Sequence, residues 1–129
     1  MTRRTTTASA TAGVAGAPPD ITTMRQAVDR LLDPDAVPGA LPPAAEELDT
    51  LTLQLRGHLN LLMPEVEAVA QQLLKDDIPR YCALACLGEA RGKLRAQPSP
   101  TAHGPVAYAR RLARVLNALC DHYETLSGR

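Results

Sequence analysis

Apolar residues recur along this chain at intervals of three and four with polar residues between them, the pattern of helices buried on one face. From about Ile21 to Leu32, the residues Ile21, Met24, Val28, Leu31 and Leu32 fall at helical spacing behind Asp20, which is suited to capping a helix N-terminus. So short a helix needs a partner surface. Asp33 to Leu41 reads as a turn-rich connector. The strongest period runs from Pro43 to Leu74, where Leu48, Leu51, Leu55, Leu59, Leu62, Val66, Val69 and Leu73 advance by three or four each time. That stripe keeps its phase past Pro64, which predicts one long helix kinked there, with the carbonyl of Asn60 deprived of its amide. Leu53 and Leu61 fall well away from the stripe, and predict that this helix is covered on a second side, by the first helix or by a second chain.

Lys75, Asp76 and Asp77 make a polar reversal, Asp77 caps a third block, and Pro79 lies in its first turn, where proline is tolerated. The block runs to about Arg95. Its first half, Ile78 to Leu87, is apolar almost all round and Gly88 to Arg95 is mostly charged, so one end should be deep and the other wet. Ala96 to Gly104 form a loop, and Pro105 starts a last helix with Ala109, Leu112, Leu116, Leu119, Tyr123 and Leu126 as its seam. Arg110, Arg111, Arg114, Asn117, Asp121 and Glu124 take its solvent positions. No stretch alternates with period two for long enough to suggest a strand. The expected architecture is all-α: an antiparallel four-helix bundle with a long second helix kinked at Pro64, formed by a single domain over residues 20–129 behind a disordered tail over residues 1–19.

Composition narrows the function classes. With 129 residues, 45% apolar and 22% charged, the chain has material for one ordinary domain. Fourteen basic groups balance fourteen acidic ones, so no summed positive field draws it to nucleic acid or to an anionic membrane. It has no Phe or Trp, which leaves Tyr81, Tyr108 and Tyr123 as the only stacking platforms. No apolar run approaches the roughly 20 residues that span a bilayer. The charge is unevenly spread: residues 1–77 carry 6 basic and 11 acidic groups, residues 78–129 carry 8 and 3, so the acidic long helix is expected to lie against the basic later helices. Thr5 to Thr11 is too polar for the core of a secretory leader, and three cysteines cannot all pair, so reduced thiols and a cytoplasmic location are expected. Arginine outnumbers lysine twelve to two, a bias of G+C-rich bacterial genomes.

The chemistry-bearing residues are few. Cys82 and Cys86 stand one helical turn apart and Cys120 lies on the last helix; with His58 they would make a four-ligand zinc set, although no CxxC or HxxxH spacing supports it and free cysteines are commonly small core hydrophobes. Cys120, Asp121, His122 and Tyr123 form the densest reactive run, a candidate catalytic or ligand-binding cluster, yet on a helix they splay apart. Arg91, Arg110, Arg111 and Arg114, with Arg80 and Arg95, offer an anion-binding patch beside the free amides that open the last helix; the plainer reading is a solvated face. Ser9, Ser99 and Ser127 lie in the tail and loops, so no serine nucleophile sits on a rigid element. Leu55, Pro100 and Leu119 stand where a di-iron bundle needs Glu three residues before each His. Gly88 to Lys93 is one residue short of a phosphate loop, and Asp49-Thr50-Leu51 has Thr where a carrier protein needs its serine. No cofactor is expected.

Several phrases together resemble an actinobacterial family, domain of unknown function 6415, often labelled a natural product biosynthesis protein. They are Leu55-Arg56-Gly57-His58-Leu59, Pro64-Glu65-Val66-Glu67, Asp77-Ile78-Pro79-Arg80, Cys82-Ala83-Leu84-Ala85-Cys86, Ala109-Arg110-Arg111-Leu112-Ala113 and Asn117-Ala118-Leu119-Cys120-Asp121-His122-Tyr123, spread over about residues 44–126. The resemblance implies an accessory role in specialised metabolism and carries no reaction, ligand or catalytic residue with it. The expectation is an interaction module with a protein partner or a second copy, and the alternative is a small-molecule-binding protein or enzyme using the Cys120 cluster.

Overall fold

A computed structural model describes residues 17–32 and 43–128 of the chain. The expected disordered tail, except residues 17–19, and the whole of the expected connector lie outside those residues. Four helices account for the described fold, α1 (Ile21–Leu32), α2 (Ala45–Gln71), α3 (Ile78–Arg95) and α4 (Gly104–Ser127), and no strand occurs among the described residues.

Each helix begins for a local reason. The Asp20 carboxylate accepts the amide of Thr23 at 3.1 Å and its hydroxyl at 2.7 Å, and Asp77 accepts the amide of Arg80 at 3.1 Å, so both satisfy amides that have no intrahelical partner. Ala44 gives α2 no side-chain cap, and Glu46 and Glu47 in its first turn complement the positive end of the helix dipole instead. α4 starts at a close approach: a Cβ on Gly104 would meet the backbone oxygen of Ser99 at 1.8 Å, so only glycine fits against the preceding loop. α2 runs unbroken through Pro64. Ser127 ends α4 and is part of that helix, not of a loop.

Cross-helix bonds set the directions. Arg25 on α1 meets Asn117, Asp121 and Glu124 near the end of α4, while Arg110 near the start of α4 reaches the Leu31 carbonyl at the end of α1, so these two helices are antiparallel. Arg80 reaches the Ala70 carbonyl and Arg56 the Leu94 carbonyl, so α2 and α3 are antiparallel as well. The Tyr108 hydroxyl donates to the Lys93 carbonyl, which sets the start of α4 beside the end of α3. The resulting bundle is lozenge-shaped in section. α2 and α4 approach each other across the middle, α1 and α3 flank them, and α1 has no close approach to α3.

The core follows that section. Leu55, Leu59, Leu62 and Val66 of α2 meet Leu112, Leu116, Leu119 and Cys120 of α4, all fully buried. On α2 the buried line then passes to Ala70, leaving Val69 and Leu73 half-buried. Because α4 serves three neighbours, its buried face is wider than one seam: Tyr108, Ala113 and Val115 are buried too, and Tyr123 is half-buried.

Three expectations are corrected. The first half of α3 is not deep: its buried residues are Ala83, Cys86, Leu87 and Ala90, and Ile78, Tyr81, Cys82 and Ala85 face outward. A helix that flanks a bundle buries one stripe, and the apolar residues beyond that stripe are left in solvent. Leu53 and Leu61, at 70% and 62% exposure, are not covered by the first helix or by any other described residue. Among the described residues the charge asymmetry yields one pair of the expected sense, Arg91 with Glu67 at 3.7 Å; the pairs of Arg25 with Asp121 and Glu124 run the other way, from the acidic half's arginine to the basic half's carboxylates. Local adjacency outweighs net charge, since exposed pairs act only over a few ångströms.

Candidate functional site

The four residues of the Cys120 run are neighbours in sequence and strangers in space. Cys120 is fully buried in the α2–α4 core, and burial pushes its thiol up to about 11, a value that the nearby Arg25 charge offsets only in part. Such a thiol is protonated at neutral pH and is no nucleophile. Asp121 points the other way, into solvent, and accepts from Arg25 at 2.9 Å. His122 is half-buried, and Tyr123 packs against the edge of the core. Burial similarly raises Cys86 to about 11, with Glu89 adding to it. Cys82 faces solvent on the opposite side of α3 from the core. No three His, Cys, Asp or Glu side chains among the described residues gather in a way that would hold a metal ion, the set of Cys82, Cys86, Cys120 and His58 included.

His58 is half-buried on α2. Burial holds it below its ordinary value, partly countered by the Asp20 carboxylate from the start of α1.

The arginines divide into two sets. Arg56, Arg80 and Arg110 each donate to a carbonyl in the last turn of another helix: Arg56 to Leu94 at 3.1 Å, Arg80 to Ala70 at 3.0 Å and Arg110 to Leu31 at 3.4 Å. These carbonyls lie at the negative ends of α3, α2 and α1, where a cation bonds the orphan acceptors and complements the dipole. Arg56 also donates to the buried Tyr108 hydroxyl, which in turn donates to the Lys93 carbonyl at 3.3 Å, tying α2, α3 and α4 at one point. Arg110, expected in an anion patch, is engaged by the Leu31 carbonyl instead of lining the cleft between α3 and α4. Arg25 is held above its usual value because its bonds to Glu124 and Asp121 outweigh the burial that opposes its charge.

Arg111 and Arg114 belong to the other set. Together with Glu89, Lys93, Val115 and Ala118 they line an open cleft of about 230 Å³ between α3 and α4. None of the four charged side chains in it makes an ion pair within 4 Å among the described residues. A cleft between the last two helices is where a ligand site was expected, but its lining is this basic group and not the Cys120 cluster; Arg91, assigned to the patch from sequence, pairs with Glu67 instead. Lys93 was missed because its spacing from Glu89 looks like an ordinary surface pair on a helix.

A second feature is apolar. Leu74, Ile78 and Tyr81, at the turn from α2 into α3, are 77%, 73% and 72% exposed. With Cys82 and Ala85, Ile78 and Tyr81 recur at the spacing of one helix face, opposite the stripe that α3 buries. No helix of the described residues is long and apolar enough to cross a membrane.

No curated protein and no solved structure matches the chain. The pattern that defines the Family of unknown function (DUF6415) matches residues 22–128, from the second residue of α1 to the end of α4, and so takes in all four helices. The chain belongs to that family.

Proposed function

We propose that this protein is a helical interaction module that self-associates through the outward face of α3 and acts as an accessory component rather than as a catalyst. The observation that carries the reading is the exposed stripe of Ile78, Tyr81, Cys82 and Ala85, continued by Leu74, on a bundle whose own helices leave it uncovered. Contiguous apolar surface of this kind marks an interface. A second copy fits this stripe: set antiparallel about a twofold axis near Cys82, two α3 helices oppose the same apolar residues, as an isologous interface requires. An actinobacterial source and a role in natural product biosynthesis belong to the same proposal; they are supported by the resemblance of the quoted sequence phrases, and a cytoplasmic location by the unpaired thiols.

Light scattering over a wide concentration range tests the pairing. The wild-type chain is expected to pass from monomer to dimer, and the Ile78→Glu/Tyr81→Glu chain to stay monomeric with the thermal midpoint of the dilute, monomeric wild-type chain, since neither side chain contributes to the core. Mild oxidation should cross-link the dimer through Cys82, and Cys82→Ser should abolish the cross-link. A wild-type chain that is monomeric throughout overturns the reading.

A further inference from the structure

The cleft between α3 and α4 combines three features. First, its charged lining is unbalanced: Lys93, Arg111 and Arg114 face a single carboxylate, Glu89, in a chain whose net charge is zero. Second, these groups are uncommitted. Arg25, Arg30, Arg56, Arg80, Arg91 and Arg110 each hold a carboxylate, a carbonyl or a hydroxyl, whereas Lys93, Arg111 and Arg114 hold no side-chain partner among the described residues. Even Glu89 and Lys93, one turn apart on α3, do not close into a pair. Third, the floor is apolar, made by the buried Val115 and the half-buried Ala118. Two guanidinium forks one helical turn apart on α4, faced by an ammonium from α3, match the planar and tetrahedral oxygens of carboxylates and phosphates.

We infer that this cleft binds a small organic anion, its carboxylate or phosphate held by Lys93, Arg111 and Arg114 and its apolar body seated on Val115 and Ala118. A space of about 230 Å³ equals the liquid volume of ~8 water molecules, which accommodates one ring with its headgroup. Glu89 sets the selectivity: it repels a bare anion and accepts a hydrogen bond from a donor carried beside the anionic group.

Three probes test the inference by NMR titration of the full chain: inorganic phosphate, phenyl phosphate and benzoate. Phenyl phosphate is expected to shift the amides of Glu89, Lys93, Val115 and Ala118 saturably and to bind more tightly than inorganic phosphate, because only it covers the floor. A response to benzoate stronger than that to phenyl phosphate identifies a carboxylate site, and a weaker one a phosphate site. Replacing both Arg111 and Arg114 by Gln should weaken binding by at least about tenfold, the effect of losing charge-assisted hydrogen bonds. Glu89→Gln should strengthen it. Lys75→Gln, a surface cation outside the cleft, should leave it unchanged. The Ile78→Glu/Tyr81→Glu chain should bind like wild type, which separates this site from the α3 self-pairing. Shifts that do not saturate, an equal loss in Lys75→Gln, or no gain for phenyl phosphate over inorganic phosphate would overturn the assignment.

Discussion

His58 illustrates how a single side chain ties stability to pH. In the unfolded chain an imidazole titrates near 6.5, and in the folded protein burial holds His58 lower. Between those two values the unfolded chain carries the proton and the folded one does not, so stability falls as pH drops through that window and is fully restored above the unfolded value. Urea midpoints measured at pH 7.5 and 5.5 are expected to differ, with the lower one at pH 5.5, and His58→Gln should reduce the difference. A midpoint difference of the same size in that variant would show that another group is responsible. At the same scale, the guanidinium clamps of Arg56, Arg80 and Arg110 were invisible in the sequence. An arginine beside a leucine in a helical stripe reads as a solvated neighbour, and only the packing of a second helix brings a terminal carbonyl within its reach.

Among the elements, α2 is the one whose sequence contradicts its conformation. Pro64 sits inside a 27-residue helix, with no amide to offer the Asn60 carbonyl, and the helix continues because Leu62 and Val66 on either side are fully buried against α4. Burial of the flanking turns outweighs the local cost. Pro64 itself is exposed, so Pro64→Ala leaves the core untouched and restores the missing bond. The change is expected to stabilise the protein by about 2 kcal/mol, the helix-propensity gain less what proline contributes by stiffening the unfolded chain. Denaturant unfolding measures this directly, and an unchanged or lowered midpoint would mean that the proline's geometry is built into the packing. α3 teaches the converse. Its two halves have different compositions, yet both bury the same one-sided stripe, because position in the bundle and not local hydropathy decides which face is covered.

Taken whole, the molecule depends on α4. It packs on all three other helices, whereas α1 and α3 approach each other nowhere. The buried Leu112, Leu116, Leu119, Leu126 and Tyr108, at roughly 2 kcal/mol each, amount to about 10 kcal/mol, comparable with the whole net stability of a domain this size. A chain ending at residue 104 is therefore expected to lose cooperative unfolding altogether, as thermal denaturation followed by circular dichroism would show. A sharp melting transition in that fragment would sink the view of α4 as the central helix. The basic cleft also exists only at this scale, since Glu89 and Lys93 come from α3 and the rest of its lining from α4.

The four helices, their capping residues Asp20 and Asp77 and the seam of α4 were legible in the sequence, because helical periodicity and capping act between residues a few positions apart. The spacing of Leu55, Leu59, Leu62 and Val66 requires a helix buried on one face whatever covers it. Which helices touch, which arginines find carbonyls, and which charges are left unpaired in a cleft depend on relations between residues far apart in the chain. The lozenge section decided those relations: by bringing α2 and α4 together it pushed α3 outward, exposed Ile78 and Tyr81, and opened the space beside Arg111 and Arg114.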